Sequence, residues 1–305
     1  MDGFINLLKP PGVSSHDMVN FVRKEFKIKK VGHGGTLDPG AAGVLVIGVG
    51  KATRLLEYAV GLQKKYRAEI TFGISTSSGD SFGEIVKKEK DVFVTEKDLN
   101  AVLEKFTGEI FQIPPMTSAI KSKGKKLYEL ARKGIEIERK PRKVKISSLK
   151  LVRFIDGDKP KAFLDIACSK GTYIRSLCHD VGAQLGCGAH MSFLVRTGVG
   201  EFMLDDALTL AELKEYIKDK DFSFLKPMTS VLGHLQSVIV NNDSVFAVLN
   251  GIYLNSDGII NTVKLSRDKK VKLLTESGQL LAIGKVISDK KNIIKPEKVF
   301  KTKRG

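Results

Sequence analysis

The stretch GHGGTLDPGAAGVL, residues 32–45, sets five glycines around a single acidic residue, Asp38. Glycine lets a backbone turn sharply and approach another group closely. Glycine-rich stretches of this kind mark two nucleotide-binding folds, and both can be tested by spacing. A phosphate-binding loop needs Gly, four residues, then Gly-Lys-Ser/Thr. The segment GVGKAT supplies Gly50-Lys51, but Leu45 stands at the first glycine's place and Ala52 where the magnesium-binding hydroxyl belongs. The dinucleotide pattern fails too. Gly32-x-Gly34 is followed by Leu37, and the acid about 20 residues on, Glu57, lies inside a helical pattern. No nucleotide cofactor is expected. Two readings of Asp38 stay open. Asp-Pro is a good N-cap and N1 pair, although GAAG after Pro39 makes a poor helix. Alternatively, the glycines let a ligand come close to a reacting carboxylate.

Periodicity along the chain predicts an α+β fold. FINLLK reads as a short strand stopped by PPG, and residues 15–27 as a helix with Met18, Val19, Val22 and Phe26 on one face and Ser15 as cap. KATRLLEYAVGL reads as helix. In YRAEITFGI the period switches to two, with Tyr66, Ala68, Ile70, Phe72 and Ile74 alternating with polar or small residues, a half-buried strand. TEKDLNAVLEKFTGEI is a helix capped by Thr95 and closed by Gly108. A short helix is expected at Leu127–Ala131. VKISSLKLVRFI and KAFLDIACS read as strands around a DGDK turn, and GTYIRSLCHDVGAQLG and TLAELKEYIKD as helices. Beyond Pro227 the texture changes to short β-like runs, SVIV, SVFAVLNG, IYL, KVKLLT and QLLAIGKVI, the pattern of a small all-β module. About two domains suit the length, with residues 1–233 as the larger and 234–305 as the smaller.

Charge narrows the partner. Lys and Arg total 51 against 34 Asp and Glu, a net +17. An abundance of both signs would mark a solvated surface; an excess of one sign points to a polyanion, nucleic acid first. The excess is clustered, with eleven basic and three acidic residues from Lys121 to Lys145 and seven and two from Val286 to Gly305. No run approaches the ~20 apolar residues of a membrane span, and the N-terminus lacks a secretory pattern. Three cysteines, none in a C-x-x-C pair, speak against a disulfide framework or zinc knuckle. A cytoplasmic protein that uses neither metal nor cofactor is expected.

The glycine-rich stretch, preceded by INLLKPPGVSSHD, resembles the TruB family of tRNA pseudouridine synthases, whose signature runs Gly, His, Gly-Gly, Thr, Leu, Asp, Pro, small residues and Gly-Val-Leu. Further matching blocks follow in order: KKYRAEITFGISTSSGDSFGEI, PPMTSAIKSKGKKLYELARKG, KGTYIRSLCHDVG and FLVRTGVGEF. The resemblance spans residues 1 to about 200, and the basic β-like tail is similar in texture to the RNA-binding PUA module. It implies a pseudouridine synthase fold, with a mixed, largely antiparallel sheet flanked by helices, and a small β-barrel-like PUA domain. It also implies an activity. Uridine 55 in the T loop of tRNA is flipped out, detached at N1, turned and rejoined through C5, by a protein expected to be a monomer. Two departures, Leu8 where an acid often stands and Ser14 for a frequent Thr, bear on Lys9 and not on the Asp38 motif.

The resemblance implies Asp38 as the catalytic group, and a carboxylate suits attack on carbon or proton removal. It places Arg175 against Asp38, where a cation keeps a buried carboxylate ionised. Position agrees, because a cation in a helix's first turn opposes the dipole and gains nothing structurally; the alternative is a surface arginine. Tyr66 is either a core aromatic or, as in the family, the platform for the flipped uracil. Tyr173 and Leu194 match further pocket positions or are plain core residues. His33, flanked by glycines, is expected to be exposed and to help hold the nucleotide. Asp80, in a Ser/Gly-rich turn, and Lys9 complete the candidate substrate contacts. A non-catalytic RNA-binding protein on the same scaffold would show the same charge pattern.

Overall fold

The computed structural model describes residues 1–301 apart from 119, 123 and 263. The chain opens with β1 (Gly3–Lys9), α1 (Ser15–Phe26), β2 (Val31–His33) and β3 (Ala42–Val49). A 3₁₀ turn over Gly50–Leu55 leads into α2 (Leu56–Gly61), so the expected KATRLL helix begins as a tighter coil. Next come β4 (Lys64–Phe72), the hairpin β5 (Ile74–Thr76) and β6 (Ile85–Lys88), α3 (Glu96–Lys105) and β7 (Gly108–Gln112). The basic segment holds the small hairpin β8 (Lys121–Ser122) and β9 (Lys125–Lys126), then α4 (Leu127–Ala131) and an exposed stretch into β10 (Arg142–Ile155). After β11 (Lys161–Cys168) follow α5 (Ile174–Gln184), β12 (Ala189–Val199), β13 (Phe202–Met203) and α6 (Leu210–Lys218). The last part comprises β14 (Gln236–Ile239), α7 (Asn242–Leu249), β15 (Lys270–Leu274), β16 (Leu280–Ser288) and β17 (Ile293–Val299). Lys123 of the basic segment, and Lys303 and Arg304 of the basic tail, lie outside the described residues.

The main sheet runs β1-β3-β12-β4-β11-β10-β7, with β2 on β3 and β13 on β12. Every neighbouring pair is antiparallel except β3 with β12. The fold is therefore α+β, as the periodicity predicts. β3 is buried on both faces: Val44 and Val46 pack with α2, while Leu45, Ile47 and Val49 pack with α1 and Leu213 of α6. The period of two delivers alternate residues to two separate cores. Further along, α3 and α5 cover β4, β10, β11 and β12 through Leu99, Val102, Leu177 and Val181. Ser14, not Ser15, caps α1: its side chain accepts the Asp17 amide while Asp17 returns a bond to the Ser14 amide.

The C-terminal part departs from a purely β reading. SVFAVLNG forms α7, because Asn241 caps it and Val245, Val248 and Leu249 recur at helical spacing. IYL contributes a single bridge, Leu254 to Ile294, and the basic tail supplies β17 instead. Pro296 is tolerated there because β17 is an edge strand. Among the described residues the four strands form an open sheet, β14-β15-β16-β17, and no closed barrel. Leu280, Ile283 and Phe300 share a buried cluster with Ala52, Val231 and Leu232, and burial of each of its Leu, Ile, Val and Phe side chains contributes about 1.5–3 kcal/mol. Arg54 adds a bond to the Val299 carbonyl at 2.6 Å. Among the described residues no helix is long and apolar enough to cross a membrane, and no group of three or more His, Cys, Asp or Glu is placed to hold a metal ion.

Candidate active site

The loop between β2 and β3 emerges where β1 ends, and strand register brings Lys9, Gly43 and Arg196 together there. Lys9 pairs with Gly43, and Gly43 with Arg196. Asp38 lies in this loop, and its carbonyl accepts the Ala41 amide at 3.0 Å to close a turn. Strand β3 follows, so Asp38 caps no helix; GAAG carries too much glycine to start one. Leu37 anchors the loop in the apolar core at 3% exposure. The Ser15 hydroxyl, freed from capping, accepts the Leu37 amide at 2.8 Å and donates to its carbonyl at 3.1 Å.

Arg175, in the first turn of α5, closes on Asp38. Its Nε lies 3.0 Å from Asp38 Oδ2, and Nη1 lies 3.5 Å from Asp80 Oδ2. Nη1 also donates to Thr117 Oγ1 at 2.5 Å and to the Ser78 carbonyl at 3.2 Å. The arginine side chain is only 5% exposed, whereas that of Asp38 keeps 38% open to solvent. Two carboxylates fix the cation, and only one of them faces outward. Burial pushes the Asp38 carboxyl above the usual carboxylate range; Arg175 pulls it back, Asp80 pushes it up, and Lys9 and Arg196 pull it down.

Tyr66 lies across the sheet from Arg196 and packs against the same core as Leu37 and Leu194. Burial holds the phenol above its ordinary pKa, against the pull of the neighbouring Arg196 cation, so it stays neutral. Leu194 is buried at 6%, further along the β12–β4 ladder, opposite Ala68. Tyr173 precedes α5, where the buried Gln112 side chain accepts its amide at 3.0 Å and donates to its carbonyl at 3.3 Å. The structure thus joins Asp38, Arg175 and Asp80 in one charged group and sets Tyr66 opposite Arg196, while Tyr173 lies two residues before Arg175 and Leu194 two before Arg196.

Two candidates differ from expectation. Lys9 is fully buried, and its ammonium donates to the carbonyls of Pro10, Val13 and Pro39 at 2.9, 2.7 and 3.2 Å. All three donors are used on the backbone, so Lys9 shapes the Asp38 loop from beneath and has no face for a substrate. Burial lowers its pKa to about 8. His33 is half-buried where exposure was expected, because β2 pairs with β3. Its Nδ1 accepts the Gly35 amide at 3.4 Å, and burial, then Arg196 and His16, hold its pKa down.

Arg196 is not among the residues the sequence singles out. It is 1% exposed, and its guanidinium donates to the carbonyls of Val44, Thr36 and Gly35 at 2.7, 3.3 and 3.1 Å. One buried fork thereby staples both sides of the loop that carries Asp38. The signal was present: Arg196 falls on the apolar face of a period-two strand, two residues after Leu194, where a charge needs partners. The glycines also have a different use from the one expected. A Cβ on Gly34 would meet Ala59 at 2.6 Å, and one on Gly40 would meet the Phe82 ring at 2.0 Å. They admit the protein's own packing.

Residues 23–174 match the TruB family pseudouridylate synthase (N terminal domain), and residues 175–242 the tRNA pseudouridylate synthase B C-terminal domain. The chain is 50% identical to tRNA pseudouridine synthase B of Pelotomaculum thermopropionicum over 93% of this chain and 91% of the relative. It is 46% identical to tRNA pseudouridine synthase B of Moorella thermoacetica over 98% and 99%. A chain in the structure of an H/ACA ribonucleoprotein bound to a substrate RNA containing 2′-deoxyuridine superposes with a TM-score of 0.77 at 29% identity, covering 99% of this chain and 86% of that one. With the sheet order, the Asp38 loop and these matches together, the chain belongs to the TruB family of pseudouridylate synthases.

Proposed function

We propose that the protein isomerises uridine 55 in the T loop of tRNA to pseudouridine, with Asp38 as its catalytic group. The observation that carries this reading is the Asp38–Arg175 pair, an open carboxylate held 3.0 Å from a buried cation. Breaking and remaking a glycosidic bond on one base needs a single carboxylate and exclusion of water. Hydrolases that must activate water use two. The target base leaves the loop at a cost of a few kcal/mol, which stacking on Tyr66, worth about 1–3 kcal/mol, offsets. Tyr173 and Leu194 wall the base from water, His33 helps hold the nucleotide, and Asp80 orients Arg175. Residues 1–233 form the catalytic domain, with the basic segment 121–145 along the RNA backbone. Residues 234–305, which carry the open four-stranded sheet, act as a PUA-like RNA-binding domain. The protein works as a cytoplasmic monomer.

The test is release of tritium from a T-arm transcript labelled at uridine C5. Wild-type protein releases it, and Asp38→Asn abolishes release while RNA binding persists. Release by Asp38→Asn at the wild-type rate would remove the catalytic assignment. No release by the wild type would favour an RNA-binding protein on the same scaffold.

A further inference from the structure

The loop between β5 and β6 carries a large aromatic that the chemistry above leaves unused. Phe82 is 79% exposed. Single exposed apolar side chains are common and need no explanation, but this one is braced. Its amide donates to Asp80 Oδ1 at 3.1 Å, and that oxygen also accepts the Ser78 hydroxyl at 2.5 Å. The other oxygen of the same carboxylate faces Arg175 at 3.5 Å, and Arg175 holds Asp38 at 3.0 Å. Around it, the Ser77 amide donates to the Glu84 carbonyl at 2.9 Å, and the Ser81 hydroxyl to the Ser192 carbonyl on β12 at 3.1 Å. One carboxylate therefore fixes both the arginine behind the reacting group and the backbone that presents Phe82. The ring lies over Gly40, two residues from Asp38, and a Cβ there would come 2.0 Å from a ring carbon.

We infer that Phe82 is a second stacking platform, outside the pocket, for a base that flanks the flipped uridine. This rests on the reading of the protein as a uridine isomerase on RNA. Turning one base out of a loop breaks its stacking with both neighbours, and each exposes a π-face to water. An aromatic ring covers such a face whatever the base, because stacking does not read hydrogen-bond edges. Tyr66 is half-buried against the core and serves the base that enters; Phe82 sits on the outer side of the Asp38–Gly40 turn, where the strand must pass. Its loop is already ordered, so little conformational freedom is lost on contact.

Two T-arm transcripts, each with 2-aminopurine on one side of the target uridine, read this contact by fluorescence on binding. Tritium release gives KM and kcat. Phe82→Ala is expected to raise KM by about 5- to 30-fold and leave the salt dependence of binding unchanged, since stacking releases no counterions. The wild type quenches one of the two probes, Phe82→Ala loses that quench, and Phe82→Tyr restores both quench and KM. Thermal melting of Phe82→Ala at the wild-type temperature confirms the fold. An unchanged KM and quench in Phe82→Ala would overturn the inference, as would a Phe82→Tyr variant no better than alanine. Wild-type protein without turnover would overturn the isomerase reading instead, and the quench, which needs no turnover, would still report on Phe82.

Discussion

Gly43 and Arg196 face each other across the parallel contact of β3 with β12, so closely that a Cβ on Gly43 would lie 2.2 Å from the Arg196 carbonyl oxygen. Gly43 also holds φ at +112°, a conformation that side chains rarely adopt. The obstacle is backbone, which cannot swing aside. Gly43→Ala is expected to cost about 3 kcal/mol or more, from strain and the displaced strand together. Urea unfolding checks this, and an unchanged midpoint would show that the two strands do not approach so closely.

Arg196 offers a second prediction. Arg196→Met keeps the bulk but leaves three loop carbonyls without their donor. The expected loss is about 3–5 kcal/mol of stability, as for a broken buried charge network. Arg196→Lys keeps the charge without the planar fork, so it cannot hold both sides of the loop. Both variants are expected to lose kcat more than RNA affinity, measured by tritium release and filter binding.

These two residues also mark how far the sequence could be read. Periodicity revealed β4, β10, β11 and the helices α1, α3, α5 and α6, because each buries one face and exposes the other. It misassigned SVFAVLNG, where β-branched residues also satisfy helical spacing, and missed β17, whose apolar positions are interrupted by lysines and Pro296. At the candidate site, the family motifs point to Asp38, Arg175 and Tyr66, and the structure pairs the first two. They do not point to Ser15, Gln112 and Thr117, since each acts on residues at least 22 positions away, a relation local pattern does not contain. The glycines were legible as a need for close approach, but not as to which group approaches.

The Asp38–Arg175 pair sets a pH dependence. In the proposed reaction Asp38 acts as the carboxylate, and burial lifts its pKa above 3.8 despite the arginine. Activity is therefore lost as pH falls through this raised value. Removing Arg175 takes away the strongest opposing influence, so in Arg175→Met the acid limb moves to higher pH and kcat at neutral pH drops by about 100-fold or more. Arg175→Lys restores part of the limb's position, because it returns the charge, but less of the rate, because one ammonium cannot serve Asp38, Asp80 and Thr117 together. The stability sign is opposite: between the unfolded value and the raised folded one, this carboxyl makes the protein less stable as pH rises. A pH–rate profile of the three proteins decides it, and coincident acid limbs would separate Asp38's ionisation from Arg175.

The basic segment makes a prediction of a different kind, because it concerns affinity and not chemistry. Lys133 and Lys140 are exposed between α4 and β10, on a stretch whose cations outnumber its acids. If they neutralise phosphates of the T arm, each pairing releases condensed counterions. Log K should then fall linearly with log salt, by about 0.7–0.9 per phosphate neutralised. Replacing both lysines by alanine should weaken binding and make that line shallower by the same amount for every phosphate left unpaired. A weaker affinity with an unchanged slope would mean that the lysines act through the fold of the segment. A slope near zero in the wild type would remove phosphate pairing as the source of affinity altogether, leaving the net +17 without a role in recognition.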